Sequence, residues 1–123
     1  MALVSAAFAP MASAMDFFPR PGHYASTPGS AAHVSFDLMK NGSIVHLRFN
    51  GLQLNFHGGY NSEHTFRFHK SRVMAEDHLT NEAFSGHGVW ETPQTCRGDF
   101  RFYKDTAHET NSYHHWHAHW VRE

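Results

Sequence analysis

At 123 residues the chain is the length of one domain and long enough to bury a core. Ten Lys and Arg stand against eleven Asp and Glu, a balance that gives neither a basic field for nucleic acid nor an acidic tail. The single cysteine, Cys96, excludes a disulfide framework and cysteine-built zinc sites, so a metal here is held by His, Asp, Glu or Asn.

Residues 1–14, MALVSAAFAPMASA, are small and apolar and end in Ala12-Ser13-Ala14, the pattern of a signal-peptidase site. They read as a signal-peptide remnant, short and lacking a basic first region, with the mature chain starting near Met15 or Asp16. A helix packed on the domain is the alternative. The expected location is secreted or otherwise extracytoplasmic: periplasm, cell envelope or, because lumenal targeting segments end similarly, a thylakoid lumen. No stretch of the sequence reaches the length of a membrane span.

Residues 15–30 form a lead-in punctuated by Pro and Gly without helical period, and residues 31–123 carry a single β domain. There apolar and polar residues alternate, the period of a strand with one buried face. Val34, Phe36 and Leu38 face inward, with His33, Ser35 and Asp37 outward. Asn41-Gly42 marks a hairpin turn. Val45, Leu47 and Phe49 then point inward, with Ile44, His46 and Arg48 outward. Asn50-Gly51 turns again before Leu52, Leu54 and Phe56. GGYNSE is a loop, and Phe66 and Phe68 lie on the inner face of the next strand. SRVMAEDHLTNEAF fits either a short helix or an irregular strand and connection. Gly86-His87-Gly88 reads as a bulge or turn, since no helix follows that would make it a phosphate loop. Phe100 and Phe102 face in, with Arg97, Asp99 and Arg101 outside, where Asp99 suits cross-strand charge pairing. Cys96 reads as a small buried residue, and Trp90, Trp116 and Trp120 as core. The expected fold is all-β, an antiparallel sandwich or barrel of seven to eight short strands.

Pro21, Gly22 and Tyr24, the paired strands VSFDLMKNGSIVHLRF, then Gly98 with Phe100 and Trp116 with Ala118, together resemble small secreted β domains common in actinobacteria. The resemblance implies export and an all-β fold and carries no catalytic residues. Such domains usually pair cysteines, which this chain cannot do.

Thirteen histidines are the sharpest departure from ordinary composition, and protonating all of them would carry the formal charge from −1 to about +12. The densest cluster closes the chain, in NSYHHWHAHWVRE. In an extended strand His115, His117 and His119 share one face with Tyr113 and Val121, while His114, Trp116, Ala118 and Trp120 share the other. The tryptophans mark the core face, which leaves the three histidines in line outside. Neighbours on that face stand about 6.8 Å apart, and two imidazoles at that spacing reach one zinc or copper ion with bonds of about 2.1 Å. His115 and His119, about 13 Å apart, do not share it. A third ligand must come from elsewhere: His33 or His46 on other strands, or His108 or Glu109 in a loop.

QLNFHGGYNSEHTFRFHKSRVMAEDHL is similar to the zinc-site strands of α-carbonic anhydrases. His57 and His78 match two zinc ligands of that family, Asn55 stands where its first ligand would be, and Glu63 and Glu76 match the acids that orient ligands. The resemblance implies a reduced zinc hydrase, in which the metal lowers the pKa of bound water. The function expected from the whole chain is a non-enzymatic extracytoplasmic binding or accessory module, taking zinc or copper on surface histidines. The alternatives are a structural subunit, with a protein partner or as a homo-oligomer, and the carbonic-anhydrase-like enzyme.

Overall fold

The computed structural model describes residues 17–123, and the segment read as a signal-peptide remnant lies outside them. Nine strands follow in chain order: β1 (Gly22–Ser26), β2 (Val34–Leu38), β3 (Ser43–Phe49), β4 (Leu52–Gln53), β5 (Gly58–Gly59), β6 (Thr65–Ala75), β7 (His78–Thr92), β8 (Thr95–Asp105) and β9 (His108–Arg122). Eight of them form one sheet in the order β4-β3-β2-β1-β9-β8-β7-β6, with β5 paired to β3. All pairings are antiparallel. The two ends of the sheet meet where Leu54 bridges Val73 and the Asn55 N–H donates to the Arg72 carbonyl at 3.0 Å. The sheet therefore curls into a nearly closed barrel, which removes most of its free edge. The expected all-β architecture is the observed one. Among the described residues no helix is long and apolar enough to cross a membrane.

Alternation predicts the buried face wherever the ladder is unbroken. Val34, Phe36 and Leu38 are buried in β2, Phe66 and Phe68 in β6, Phe100 in β8, and Trp116 and Ala118 in β9. Cys96 and Trp90 are buried too, and Trp120 is half-buried against the core. Three readings need correction. Ile44, expected outside, is buried, whereas Val45, expected inside, is only half-buried. The cause is an extra β3 residue opposite β2, where the pairing jumps from Asp37–Val45 to Ser35–Arg48 and His46 takes φ 58°. Gly86-His87-Gly88 is neither bulge nor turn, but lies mid-strand in regular register with both β6 and β8. Leu52, expected inside, is exposed on a two-residue strand. The SRVMAEDHLTNEAF stretch is strand and connection, a tight hairpin turning at Glu76-Asp77, with no helix.

β1 falls inside the Pro/Gly-rich lead-in. It is short and lacks alternation, yet is paired on both sides, to β2 and to β9. Gly22 is required there, because a Cβ would meet the Arg122 carbonyl at 2.5 Å and the Trp120 indole nitrogen at 2.3 Å.

Aromatic side chains from both halves of the barrel interlock inside it. Phe49 lies 4.5 Å from Phe100, 5.2 Å from Phe68 and 5.6 Å from Phe84 between ring centroids. Phe36 stacks on Tyr24 at 5.2 Å and meets Trp90 edge-on at 5.8 Å. This filling leaves the ends and the outer wall of the barrel to meet a ligand.

Candidate functional site

The interior is poorly suited to acid–base or nucleophilic work at neutral pH. Burial pushes the Cys96 thiol far up, away from the thiolate. It also pushes the Tyr24 phenol up to about 12. Of the thirteen histidines His64 is the buried one, and the other twelve reach solvent at least in part.

On β9 the predicted division of faces is observed from His115 to His119, whereas His114, expected on the core face, is exposed and stacks on Phe100. Trp116 and Ala118 are buried, His115 and His117 are exposed, and His119 is half-buried on the outer face. Pairing with β8 adds what spacing along one strand could not supply. Asp99 lies opposite His115, Arg97 opposite His117 and Thr95 opposite His119. Asp99 is itself shared, because His87 on β7 stands in the same cross-strand row with its Nδ1 3.1 Å from Asp99 Oδ1. Arg97 is paired with Glu91 at 2.8 Å.

The third-ligand candidates lie elsewhere. His108 and Glu109 sit at the β8–β9 hairpin, six or more residues before His115, which is about 20 Å along a strand. Glu109 pairs with Arg101 and His108 with Asp105. His46 is on β3, with β2 and β1 between it and β9, and His33 is exposed ahead of β2. His57 and His78, the two positions matching carbonic-anhydrase ligands, leave the Leu54–Val73 bridge in opposite directions along β6. The chain through His57 runs away from the hairpin tip, and His78 is part of that tip, opposite Ala75. Glu63 and Glu76 are exposed, and the Asn55 Oδ1 is buried without a protein partner. Among the described residues no group of three or more His, Cys, Asp or Glu is arranged to hold a metal ion.

A pattern that single-strand reading misses is the pairing of aspartate with histidine Nδ1. Each of the four described aspartates has such a partner: Asp37, Asp77, Asp99 and Asp105. The tightest case is a clamp in which Asp37 on β2 holds His23 of β1 through Oδ1 and His46 of β3 through Oδ2, both at 2.7 Å. A carboxylate on Nδ1 orients the ring and leaves Nε2 turned to the outside, the arrangement second-shell acids impose on metal-binding histidines. Asp37 and His23 were not singled out in the sequence. The signal that finds them is strand register, which sets outward residues of three neighbouring strands side by side.

Burial alone would raise the Asp37 carboxyl, but the hydrogen bonds from His23 and His46, and their charge, outweigh it and hold it below the usual carboxylate range. A carboxyl whose folded pKa is depressed contributes stability fully above its unfolded value of about 3.9, and loses it as pH falls through the lower folded value. Asp37→Ala is therefore expected to cost about 1–2 kcal/mol at neutral pH, discounted for the exposure of His46, and to cost least at the acid end. Urea denaturation at several pH values checks this, and a pH-independent difference would contradict it.

The fold and outer wall together define an antiparallel β-barrel closed around aromatic side chains, consistent with a binding or accessory domain. Comparison with known proteins finds no family model that matches the chain, no matching curated protein and no matching solved structure.

Proposed function

We propose that this protein is a non-enzymatic, extracytoplasmic binding module that works through its outer wall and takes a zinc or copper ion on the β9 histidines. The observation that carries the reading is the division of β9. One face is locked into the aromatic core by Trp116 and Ala118, and the other presents His115, His117 and His119 in line outside. Of the two adjacent pairs, His115–His117 is the better one, because Asp99 stands beside His115 across the strand and favours a cation. Arg97 opposite His117 works against it and keeps the affinity modest. Two imidazoles leave the remaining coordination positions to water or to a ligand from a partner. The Ala12-Ser13-Ala14 pattern supports location outside the cytoplasm.

Equilibrium dialysis against zinc and against copper(II), with the retained metal quantified, tests the site. The His115→Ala/His117→Ala variant is expected to bind at least about tenfold more weakly, the scale on which metal sites respond to loss of a ligand or its support. His108→Ala, on the distant hairpin, should bind like the native protein. Equal retention by all three proteins would rule the β9 site out.

A further inference from the structure

A cleft of about 620 Å³ opens at one end of the barrel, between the start of β1, the β2–β3 hairpin and the end of β9. That volume falls within the range of small-molecule sites. Pro21 and Met39 supply apolar wall, Arg20, Lys40 and Arg122 the cations, and Asp37 and Glu123 the carboxylates.

The cations of this cleft outnumber its carboxylates, Arg20, Lys40 and Arg122 standing against Asp37 and Glu123. Asp37 already has one oxygen on His23 and the other on His46. Among the described residues, Arg20, Lys40 and Arg122 form no ion pair. Arg20 is held in place all the same. Its guanidinium lies 3.5 Å over the Trp120 ring, and its backbone carbonyl accepts from the Tyr24 hydroxyl. Trp120 is fixed in turn by its indole N–H donating to the Pro21 carbonyl at 3.0 Å. A guanidinium stacked on an aromatic face keeps its in-plane N–H donors free for an acidic group. Three cations that form no ion pair among the described residues, beside an apolar wall and with one of them pre-positioned, make a receptor for a molecule that is apolar at one end and anionic at the other.

We propose that this cleft binds a small organic anion, with its acidic group among Arg20, Lys40 and Arg122 and its apolar body against Pro21 and Met39. The site is separate from the histidine row on the outer face of β9 and does not depend on it.

Anilinonaphthalene sulfonate, which is apolar and anionic, and phenylnaphthylamine, the same ring system without the charge, serve as fluorescent probes on the full chain. The sulfonate is expected to bind saturably, one per chain. Lys40→Glu/Arg122→Glu should weaken it by at least about tenfold, while binding of the uncharged probe changes less than about twofold. Both positions are exposed, one beside a turn and one at a strand end, so the fold is expected to survive, with thermal unfolding as the check. Should the double variant fail to fold, Lys40→Gln and Arg122→Gln are measured singly, each with a smaller loss of the sulfonate alone. His115→Ala/His117→Ala should leave sulfonate binding unchanged. No saturable sulfonate binding, equal loss of both probes, or sulfonate binding indifferent to the charge changes would each overturn the assignment.

Discussion

Trp116→Ala is expected to lower folding stability by about 3–5 kcal/mol, a large part of the about 5–15 kcal/mol available to a domain. The indole is fully buried and sits where the two halves of the barrel meet. Its ring lies 6.4 Å from Phe36 on β2, 6.1 Å from Phe49 on β3 and 6.3 Å from Phe66 on β6. Truncation removes a side chain that touches rings from three other strands, and the barrel wall, held by backbone ladders, cannot collapse into the gap. Trp116→Phe retains an aromatic ring, leaves a smaller cavity and is expected to cost less than half as much. Urea denaturation of both variants measures the difference. A loss under about 1 kcal/mol for the alanine variant would mean that the interior relaxes far more freely than interlocked rings permit. The effect reaches function as well, because Trp116 anchors the strand that carries His115 and His117 on its opposite face.

Much of this was legible in the sequence, and what was not has identifiable causes. Alternation along HWHAH assigned the inner and outer faces of β9, since the ladder with β8 runs without a register shift over those residues and keeps its two-residue period. The same rule failed at Ile44 and Val45, because His46 adopts a left-handed φ and inserts an extra residue into the ladder. Lys70, with φ 45°, marks a second such break, where the β6–β7 register shifts between Phe68 and Ser71. Neither position carries a glycine that would signal the irregularity in advance. The Asp37 clamp was out of reach for another reason. Its members come from three strands, fourteen and nine residues apart, and only the register of β1 on β2 and β2 on β3 brings them together. The cleft draws on yet another distant segment, with Arg122 placed opposite His23 by the β1–β9 pairing.

Gly98→Ala is expected to be more damaging than its single added carbon implies, abolishing cooperative folding or costing beyond the about 1–3 kcal/mol usual for overpacking. Gly98 on β8 pairs with Gly88 on β7 and with Trp116 on β9, so two glycines and a tryptophan form one row across three strands. A Cβ on Gly98 would lie 1.9 Å from the His87 carbonyl oxygen and 2.6 Å from the Trp116 ring. A Cβ on Gly88 would meet that ring at 2.9 Å and Phe66 at 2.4 Å. The row is thus a trough in which the indole lies, and the obstacle to filling it is backbone as well as side chain. Backbone cannot rotate aside, so β7 and β8 would have to part. Gly51 gives the contrasting case: its Cβ would meet nothing within 4 Å, and its φ of 83° alone sets a cost of about 1–2 kcal/mol for alanine. Far-UV circular dichroism and thermal unfolding of the two alanine variants separate the cases, and similar modest losses for both would contradict the trough. The neighbouring row explains why this matters for binding. His87, Asp99 and His115 stand side by side on the outer wall, one residue from Gly88, Gly98 and Trp116, so the close strand approach that the glycines permit also holds the outward histidines and their carboxylate in register.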